Sequence, residues 1–237
     1  MINAIFNWSG GKDSAYALYK IQQDKLYDIK HLLTTINNEY KRISMHGVRE
    51  ELLETQAASI GQSLTKIYLP EFPSMADYNT QIRSTLLEFK KEGIDQAVFG
   101  DIFLEDLREY REEQLMQVGM NAVFPLWKMN TKSLVTDFIK AGFKAVVVCV
   151  DERWLDKSFA GKIIDEKFIA SLPANVDPCG ENGEFHSFVY DGPIFKFPVK
   201  FNIGEVVYKR YKPDKESVSN EVKASNANGF WYCDLIG

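Results

Sequence analysis

Hydrophobic residues in the first 150 positions form short β-rich runs that alternate with segments of helical periodicity. The β-rich runs predict strands at 2–8, 29–36, 64–69, 97–99 and 122–124. The amphipathic segments between them predict helices at 14–23, 48–60, 104–118 and 132–140, and a long helix that ends near residue 93. Strands that alternate with helices are typical of a parallel sheet with crossover connections. The strongest strand signal, at 143–150, ends this alternating part.

The pattern changes after residue 150. A helix is predicted at 162–171 among loops rich in Asp, Pro, Gly and Asn, and strand-like runs follow at 185–190, 194–211 and 229–236. The polar stretch 212–228 is predicted to be an excursion within that sheet. We therefore predict an α/β protein with a parallel-sheet domain at 1–135 and a smaller mixed α+β domain at 136–237.

Composition narrows the classes of protein to which the chain can belong. Its 237 residues, 45% hydrophobic and 26% charged, are typical of a globular protein that buries a sizeable core. A net charge of −5 argues against an extended nucleic-acid surface, so nucleic acid is not expected as a partner. No apolar run reaches the ~20 residues that span a bilayer, so no membrane partner is expected either.

The three cysteines, Cys149, Cys179 and Cys233, are far apart and have neither CxxC nor zinc-ligand spacing. A disulfide framework is therefore not expected, and a reducing compartment is favoured. The first residues have neither the basic segment nor the apolar segment of a signal peptide. These features predict a cytoplasmic protein.

A compact polar motif, SGGKDS, follows the first predicted strand and opens the first predicted helix. Gly10 and Gly11 allow a sharp turn that brings backbone N–H groups close to a ligand. The helix N-terminus adds unpaired N–H groups and a positive dipole end, an arrangement that binds phosphate. Lys12 contributes a mobile positive charge, and the Ser9 and Ser14 hydroxyls can donate to phosphate oxygens. A glycine turn that caps a helix by chance is less favoured, because strand, motif and helix occur in this order.

Asp13 is unusual in a site for anions alone. It can cap the helix, or it can help to hold a magnesium ion that accompanies a nucleotide. The motif is not the Walker A loop GxxxxGK[ST], because Phe6 stands where that loop needs glycine and Asp13 stands where it needs serine or threonine. The predicted phosphate site is therefore of another type.

The motif resembles the PP-loop of the N-type ATP pyrophosphatases, enzymes that cleave ATP between the α and β phosphates. Within that superfamily the chain is most similar to the diphthine–ammonia ligase family. The likeness extends through most of the chain in family order, at 45–48, 99–112, 125–127, 155–165 and 177–189. The resemblance implies the HUP-type PP-loop fold, a doubly wound parallel sheet of order 3-2-1-4-5, with ATP and Mg²⁺ as cofactors.

In that topology the ligand lies beyond the carboxyl ends of the strands, between strands 1 and 4. Gly100 and Asp101, after the fourth strand, are then expected to face the PP-loop. Asp101 is expected to hold magnesium together with Asp13; the alternative is a turn residue that caps the next helix. The resemblance implies four residues near adenine and ribose: Thr34, Thr35, Met45 and His46. For His46, a surface or helix-entry position is an equally good interpretation.

The segment CGENGEFHS at 179–187 is the most specific part of the resemblance. It implies a polar loop that closes over a second substrate, with Glu181 and Glu184 holding a cationic group or ammonia and His186 moving a proton. The alternative is an acidic turn that leads into a strand. Cys179 is not assigned as a nucleophile, because no sequence feature explains how its thiolate would be activated.

The resemblance implies a two-step reaction. A substrate carboxylate attacks the α-phosphorus of ATP, and ammonia or another amine then displaces AMP to form an amide. The residues assigned as catalytic are Lys12, Asp13, Glu181, Glu184 and His186. The acceptor would be diphthine, a modified histidine of elongation factor 2, if the source is archaeal or eukaryotic, and another carboxylate otherwise. Two alternatives stay open: a non-catalytic adenine-nucleotide-binding module, and a tRNA-modifying enzyme with the same loop.

Overall fold

The computed structural model describes residues 1–43, 46–210 and 229–237. Two sequence predictions, the role of Met45 and the excursion at 212–228, lie outside these residues. Within the described residues the strands are β1 (Ile2–Asn7), β2 (Tyr27–Asn37), β3 (Arg42–Ile43), β4 (Ser63–Leu69), β5 (Gln96–Val98), β6 (Asn121–Val123), β7 (Lys144–Asp151), β8 (Phe185–Asp191), β9 (Asn202–Arg210) and β10 (Gly229–Ile236). The helices are α1 (Lys12–Asp24), α2 (Glu50–Ile60), α3 (Met75–Lys91), α4 (Glu105–Met116), α5 (Thr131–Lys140) and α6 (Glu166–Ser171), with a 3₁₀ turn at Lys157–Phe159.

The first sheet, sheet A, contains parallel strands in the order β4-β2-β1-β5-β6. Numbered along the chain, these parallel strands have the order 3-2-1-4-5, so the predicted doubly wound topology is confirmed. The two-residue strand β3 pairs antiparallel with the end of β2, where Ile36 faces Ile43. Because β1 lies between β2 and β5, the loop that follows β1 opens where the strand order reverses.

The second sheet, sheet B, is antiparallel and has the order β8-β7-β10-β9. The strong run at 143–150 belongs to this sheet, within the predicted second domain at 136–237; only its inclusion in the alternation typical of a parallel sheet is wrong. Strand β7 is buried from Ala145 to Asp151, and its alternate side chains enter two different hydrophobic clusters. A central antiparallel strand that is covered on both faces has the same continuous apolar run as a buried parallel strand.

Two other elements are shorter than the sequence predicts. The helix predicted at 162–171 begins only at Glu166, because the Asp165 side chain accepts a hydrogen bond from the Phe168 N–H and caps the helix there. The strand predicted at 194–211 begins only at Asn202. Pro198 lies in the part of the predicted strand that is not a strand in the structure, and proline has no N–H to donate to a neighbouring strand.

Hydrophobic clusters cover both faces of sheet A. On one face, α3 and α4 contribute Phe89 and Leu115 to a cluster with Ile5 of β1. On the other face, α1, α2 and α5 pack with sheet B in a cluster that includes Leu18 and Phe138. Sheet B therefore lies on the side of sheet A where α1 begins. No helix in the described ranges is long and apolar enough to cross a membrane.

Candidate active site

The loop between β1 and α1 makes a tight turn into the helix. Gly10 adopts a left-handed φ of +75°, and a Cβ at this position would lie 2.7 Å from Gln56 Oε1. Gly11 is the N-cap residue of α1, and its N–H donates to Ser9 Oγ at 3.2 Å. The Ser9 and Ser14 hydroxyl oxygens lie 3.0 Å apart. The two serines therefore flank a helix start, where the helix dipole stabilises negative charge.

A buried glutamine that the sequence analysis missed holds this loop in place. Gln56 of α2 is 0% exposed, and its Oε1 accepts a hydrogen bond from Trp8 Nε1 at 3.0 Å. Its Nε2 donates to Gly10 O at 3.0 Å and to Val189 O at 2.5 Å. One side-chain amide thus joins the loop, α2 and β8. The sequence signal for it is weak, since it is only a polar residue on the apolar face of a helix.

Strand β8 of sheet B runs directly beside the loop. The Val189 N–H donates to Gly10 O at 2.9 Å, and the Lys12 N–H donates to Ser187 Oγ at 3.1 Å. Ser187 is buried, and the sequence analysis assigned it no role. The segment that carries the acidic motif therefore lies against the start of α1, although Lys12 and Ser187 are 175 positions apart in the chain.

The Lys12 side chain is 2% exposed and is held by polar groups from both motifs. Its Nζ donates to the two Asp13 carboxylate oxygens, at 2.9 and 2.7 Å, and to the Cys179 carbonyl oxygen. The Phe185 ring centroid lies 5.6 Å from Nζ. Burial disfavours the charged amine, but the charge of Asp13, the hydrogen bond to Asp13 and the nearby Cys179 and Glu181 together outweigh that effect, and the pKa of Lys12 is raised. Lys12 is therefore a positive charge shielded from solvent.

Two further acidic side chains lie at the end of β5. Glu181 Oε1 accepts a hydrogen bond from the Ile102 N–H at 3.0 Å. Burial, and then the negative charge of Asp13, raise the pKa of Glu181 to about 7. Asp101 forms an ion pair with Arg111, with 2.7 Å between Oδ2 and Nε. The structure thus brings Glu181 close to the Lys12–Asp13 pair, whereas Asp101 is paired with Arg111 of α4.

Gly100 brings the end of β5 against the start of α1. A Cβ at this position would lie 2.9 Å from Ser14 N and 3.0 Å from the Asp13 carbonyl carbon. Only glycine permits this close approach of two backbones. The segment after the fourth parallel strand therefore faces the loop.

Glu184 has a different environment from Glu181. It is 0% exposed, and its carboxylate accepts hydrogen bonds from the Asp177 N–H at 2.9 Å, the Asn182 N–H at 2.9 Å and Asn182 Nδ2 at 3.0 Å. These bonds close the loop that precedes β8. The geometry favours a role in fixing that loop over direct contact with a substrate, and the catalytic assignment of Glu184 stays a prediction.

Two histidine rings that contact each other at a tilt lie against the loop. The ring centroids of His46 and His186 are 4.6 Å apart, and a Cβ on Gly11 would lie 3.1 Å from His46 Cε1. Burial lowers the pKa of His46 to about 4 and that of His186 well below its usual value, so both rings are neutral. The buried Nε2 of His186 has no hydrogen-bond partner within the described residues.

An ion-pair cluster fixes the turn that carries His46. Arg42 Nη1 donates to Gly47 O at 2.6 Å and to Asp234 Oδ1 at 2.8 Å. Arg49 Nη2 donates to Asp234 Oδ2 at 2.6 Å. The hydrogen bond from Arg49, assisted by that from Arg42, lowers the pKa of Asp234 to about 2. Strand β10 of sheet B therefore anchors this turn.

A pocket opens at the carboxyl ends of β1, β2 and β5, on the face of sheet A that α3 and α4 cover. It is partly open to solvent. Its lining includes Asn7, Leu33, Tyr78, Phe99, Tyr110 and Arg111. The Arg111 guanidinium lies 4.4 Å from the Phe99 ring centroid, so the wall is both cationic and aromatic. Thr34 and Thr35 of β2 are in register with Lys66 and Ile67 of β4, and their contact with a nucleotide stays a prediction.

The two residues predicted to hold magnesium are paired with other charged groups. Asp13 pairs with Lys12, and Asp101 pairs with Arg111. Among the described residues there is no group of three or more His, Cys, Asp or Glu side chains placed to hold a metal ion. The arrangement therefore does not fit a magnesium ion bound by protein side chains, which needs several free oxygen ligands, and no step below is assigned to one.

The fold and the site define the class of protein. A doubly wound parallel sheet with a glycine-rich loop between β1 and α1 is the architecture of the PP-loop superfamily. The chain belongs to the diphthamide synthase family: a family model described as the diphthamide synthase N-terminal domain matches residues 2–122, and one described as the C-terminal domain matches residues 130–218.

Similar proteins carry the name diphthine–ammonia ligase. The Homo sapiens protein is 29% identical over 124 residues, which cover 50% of this chain and 46% of the human protein. The Schizosaccharomyces pombe protein is 28% identical over 117 residues, which cover 47% of this chain and 19% of that protein. The matching segment thus spans about half the length of these relatives or less.

A solved structure from Methanocaldococcus jannaschii, described as a predicted subunit of tRNA methyltransferase, matches with 19% sequence identity and a TM-score of 0.38. The match covers 66% of this chain and 81% of that chain. A structural similarity this weak does not indicate a function for this chain.

Proposed function

We propose that this chain is an ATP-dependent ligase that activates a carboxylate as an acyl-adenylate and converts it to an amide with ammonia. Its family and the shared name of its relatives support this reaction class. The observation that carries the proposal is the contact between the two motifs, in which Lys12 bonds to Cys179 O and Ser187 Oγ. A phosphate loop and an acceptor segment must meet in this way if a nucleotide and a second substrate are to react.

In the first step, an acceptor carboxylate oxygen attacks the α-phosphorus of ATP. The bond from that phosphorus to the oxygen that bridges to the β-phosphate breaks, and pyrophosphate leaves. Lys12 and the N–H groups at the start of α1 neutralise the pyrophosphate, while Ser9 and Ser14 donate hydrogen bonds. The contribution of these groups is positioning and electrostatic stabilisation.

In the second step, the ammonia nitrogen attacks the carbonyl carbon of the acyl-adenylate. The bond from that carbon to the AMP oxygen breaks, and the nitrogen passes a proton to a base. We assign Glu181 as this base, because a pKa of about 7 matches proton transfer near neutral pH. His186 has a much lower pKa and is assigned to orient the acceptor through its unbonded Nε2. Glu184 fixes the loop on which Glu181 stands.

The pocket at the ends of β1, β2 and β5 is the site that we assign to adenine. Its aromatic and cationic lining suits a planar ring with polar edges. Asn7, which lines the pocket, is two positions before Ser9 of the loop. One nucleotide can therefore extend from the pocket to the helix start, with the ribose near His46.

The acceptor that we propose is diphthine, because the relatives are named for it. The chemistry requires only a carboxylate that reaches the α-phosphorus. For an archaeal or eukaryotic source the diphthine would be that of elongation factor 2. The same surface would serve another carboxylate in other sources.

The two alternatives are less well supported. A tRNA-thiolating enzyme needs an activated thiolate, and burial raises the pKa of all three cysteine thiols, that of Cys149 to about 12. A non-catalytic nucleotide-binding module has no use for a buried Glu181 with a shifted pKa next to the phosphate loop.

The products formed from ATP test the proposal. The protein is incubated with ATP, ammonium chloride and a diphthine-bearing acceptor, and the nucleotides and phosphates are separated. We expect AMP and pyrophosphate in equal amounts, in a reaction that requires both the acceptor and ammonium. Formation of ADP and phosphate would refute cleavage at the α-phosphorus. Binding of ATP without turnover, unchanged by Glu181→Gln, would support the binding module instead.

A further inference from the structure

The ammonium group of Lys12 lies in a small site made of groups that recognise ammonium ions. Its Nζ donates to both carboxylate oxygens of Asp13 and to the carbonyl oxygen of Cys179, and the Phe185 ring lies 5.6 Å away. Carboxylates, carbonyls and aromatic faces all attract a cationic nitrogen that carries N–H donors. Lys12 is 2% exposed and the Asp13 side chain is 27% exposed, so this site is largely shielded from water on the Lys12 side.

Lys12 cannot keep this position and also contact a nucleotide. An ammonium group has three N–H donors, and the contacts with Asp13 and Cys179 engage them in the free protein. Phosphate oxygens at the start of α1 carry more negative charge than one carboxylate, so we expect a bound nucleotide to draw the Lys12 side chain toward them. This movement leaves the Asp13 carboxylate and the Cys179 carbonyl without their cation.

We propose that the vacated site binds the ammonium ion that supplies the amide nitrogen, and that it opens only after the nucleotide has bound. This rests on the proposed function, because it requires Lys12 to move to the phosphates of ATP. The Lys12 ammonium group is a stand-in for the free ion, with the same charge and the same N–H donors. The Asp13 side chain is 27% exposed, and a partly buried carboxylate that loses its ion pair favours uptake of a replacement cation.

The site also has the position that the second step requires. Glu181 lies in the same turn as Cys179, because the Cys179 and Glu181 N–H groups both donate to Asp177 Oδ1, at 2.8 and 3.3 Å. An ammonium ion bound between Asp13 and Cys179 must lose one proton before its nitrogen can attack, and the Asp13 carboxylate that holds it takes this proton. The nitrogen loses a second proton as the amide forms, and Glu181, in the same turn as Cys179, takes that one. The nucleotide must therefore bind before the ammonium ion does.

Thermal unfolding tests the site without any catalytic turnover. Lys12→Ala empties the site in the absence of nucleotide, and its melting temperature is compared in ammonium, potassium and sodium chloride at equal ionic strength. We expect only ammonium chloride to raise the melting temperature. The rise should be about 3–6 °C when the ammonium concentration is about tenfold above its dissociation constant. The double variant Lys12→Ala/Asp13→Asn is expected to lose the difference between ammonium and potassium.

The wild-type chain provides a second arm that needs no substitution. Without nucleotide, ammonium and potassium are expected to have the same effect on its melting temperature, because Lys12 fills the site. With a non-hydrolysable ATP analogue, the ammonium-specific rise is expected to appear. This arm keeps the proposal testable if Lys12→Ala does not fold.

Absence of an ammonium-specific rise in both arms would overturn the site. An ammonium-specific rise in the wild type without nucleotide would overturn the binding order. Turnover to AMP and pyrophosphate without either rise would refute this site and leave the ligase proposal intact. An ammonium-specific rise in Lys12→Ala, combined with no turnover by the wild type, would support the site and refute the ligase.

Discussion

Substitution of Gln56 by alanine measures how strongly the phosphate loop depends on the rest of the molecule. Gln56 is fully buried and makes three hydrogen bonds, to Trp8 Nε1, Gly10 O and Val189 O. Alanine cannot replace any of them, and it leaves buried polar groups without partners. At roughly 0.5–1.5 kcal/mol for each bond, with an added cost for unsatisfied groups, we expect a loss of about 2–4 kcal/mol in the free energy of unfolding.

Urea denaturation gives this free energy, and calorimetry gives the dissociation constant of ATP for the same variant. We expect weaker ATP binding as well, because Gly10 loses its contact with α2. Gln22→Ala is the matched control, since Gln22 is exposed on α1 and its loss should change stability by less than about 0.5 kcal/mol.

Gln56→Glu adds a test of the donor side. A carboxylate can still accept from Trp8, but it cannot donate to Gly10 O or Val189 O, so we expect destabilisation at neutral pH. Protonation restores one donor, and the variant should recover part of its stability as the pH falls. The reasoning is refuted if Gln56→Ala costs no more than Gln22→Ala, or if Gln56→Glu has no such pH dependence.

Four other substitutions have defined outcomes. Asp234 has a pKa of about 2 in the folded protein, below its ordinary value. Its ion pairs therefore contribute roughly 2 kcal/mol to the free energy of unfolding above pH 4, and this contribution is lost as the pH falls through 2. Asp234→Asn should remove this pH dependence from unfolding curves measured between pH 2 and 5. Glu181 has a folded pKa raised to about 7, so the wild type should lose stability as the pH rises from its ordinary value of 4.5 through 7, and Glu181→Gln should flatten that part of the pH profile. Lys12→Ala should lower the turnover number by roughly 10²–10³ while adenosine affinity changes little; equal losses in both would contradict its role. Gly100→Ala places a Cβ against the backbone of α1 and should cost about 1–3 kcal/mol and weaken ATP binding, whereas Gly93→Ala meets nothing within 4 Å and should leave ATP binding unchanged.

The sequence predicts the parallel sheet well because its signals are local. The parallel strands of sheet A each contain a short apolar run, and α2 has an end signal in Gly61, which ends the helix with a φ of +83°. The strand at 143–150 has the same local signal but a different partner. Its neighbours β8 and β10 are distant in sequence, and an apolar run does not indicate which strand it pairs with.

The residues of the site also differ in whether the sequence can predict them. The motif SGGKDS and Gly100 are recognisable because a sharp turn and a close backbone approach both require glycine. Gln56 and Ser187 are not recognisable, because their roles depend on which distant backbone atoms they meet. For Glu181 and Glu184 the sequence gives two similar carboxylates. Only the fold shows that Glu181 lies beside Lys12, whereas Glu184 is hydrogen-bonded to its own loop.

The hydrogen bonds that join the phosphate loop to β8 have a consequence for the order of folding. They connect Lys12 with Ser187 and Gly10 with Val189, so they close very long loops in the chain. Contacts of this kind carry a large entropic cost and form after the local helices and hairpins. The loop therefore reaches its final shape only when sheet B has docked against sheet A. Nucleotide affinity is thus a reporter of complete folding, since a chain that has formed sheet A alone still lacks the wall against which the loop is held.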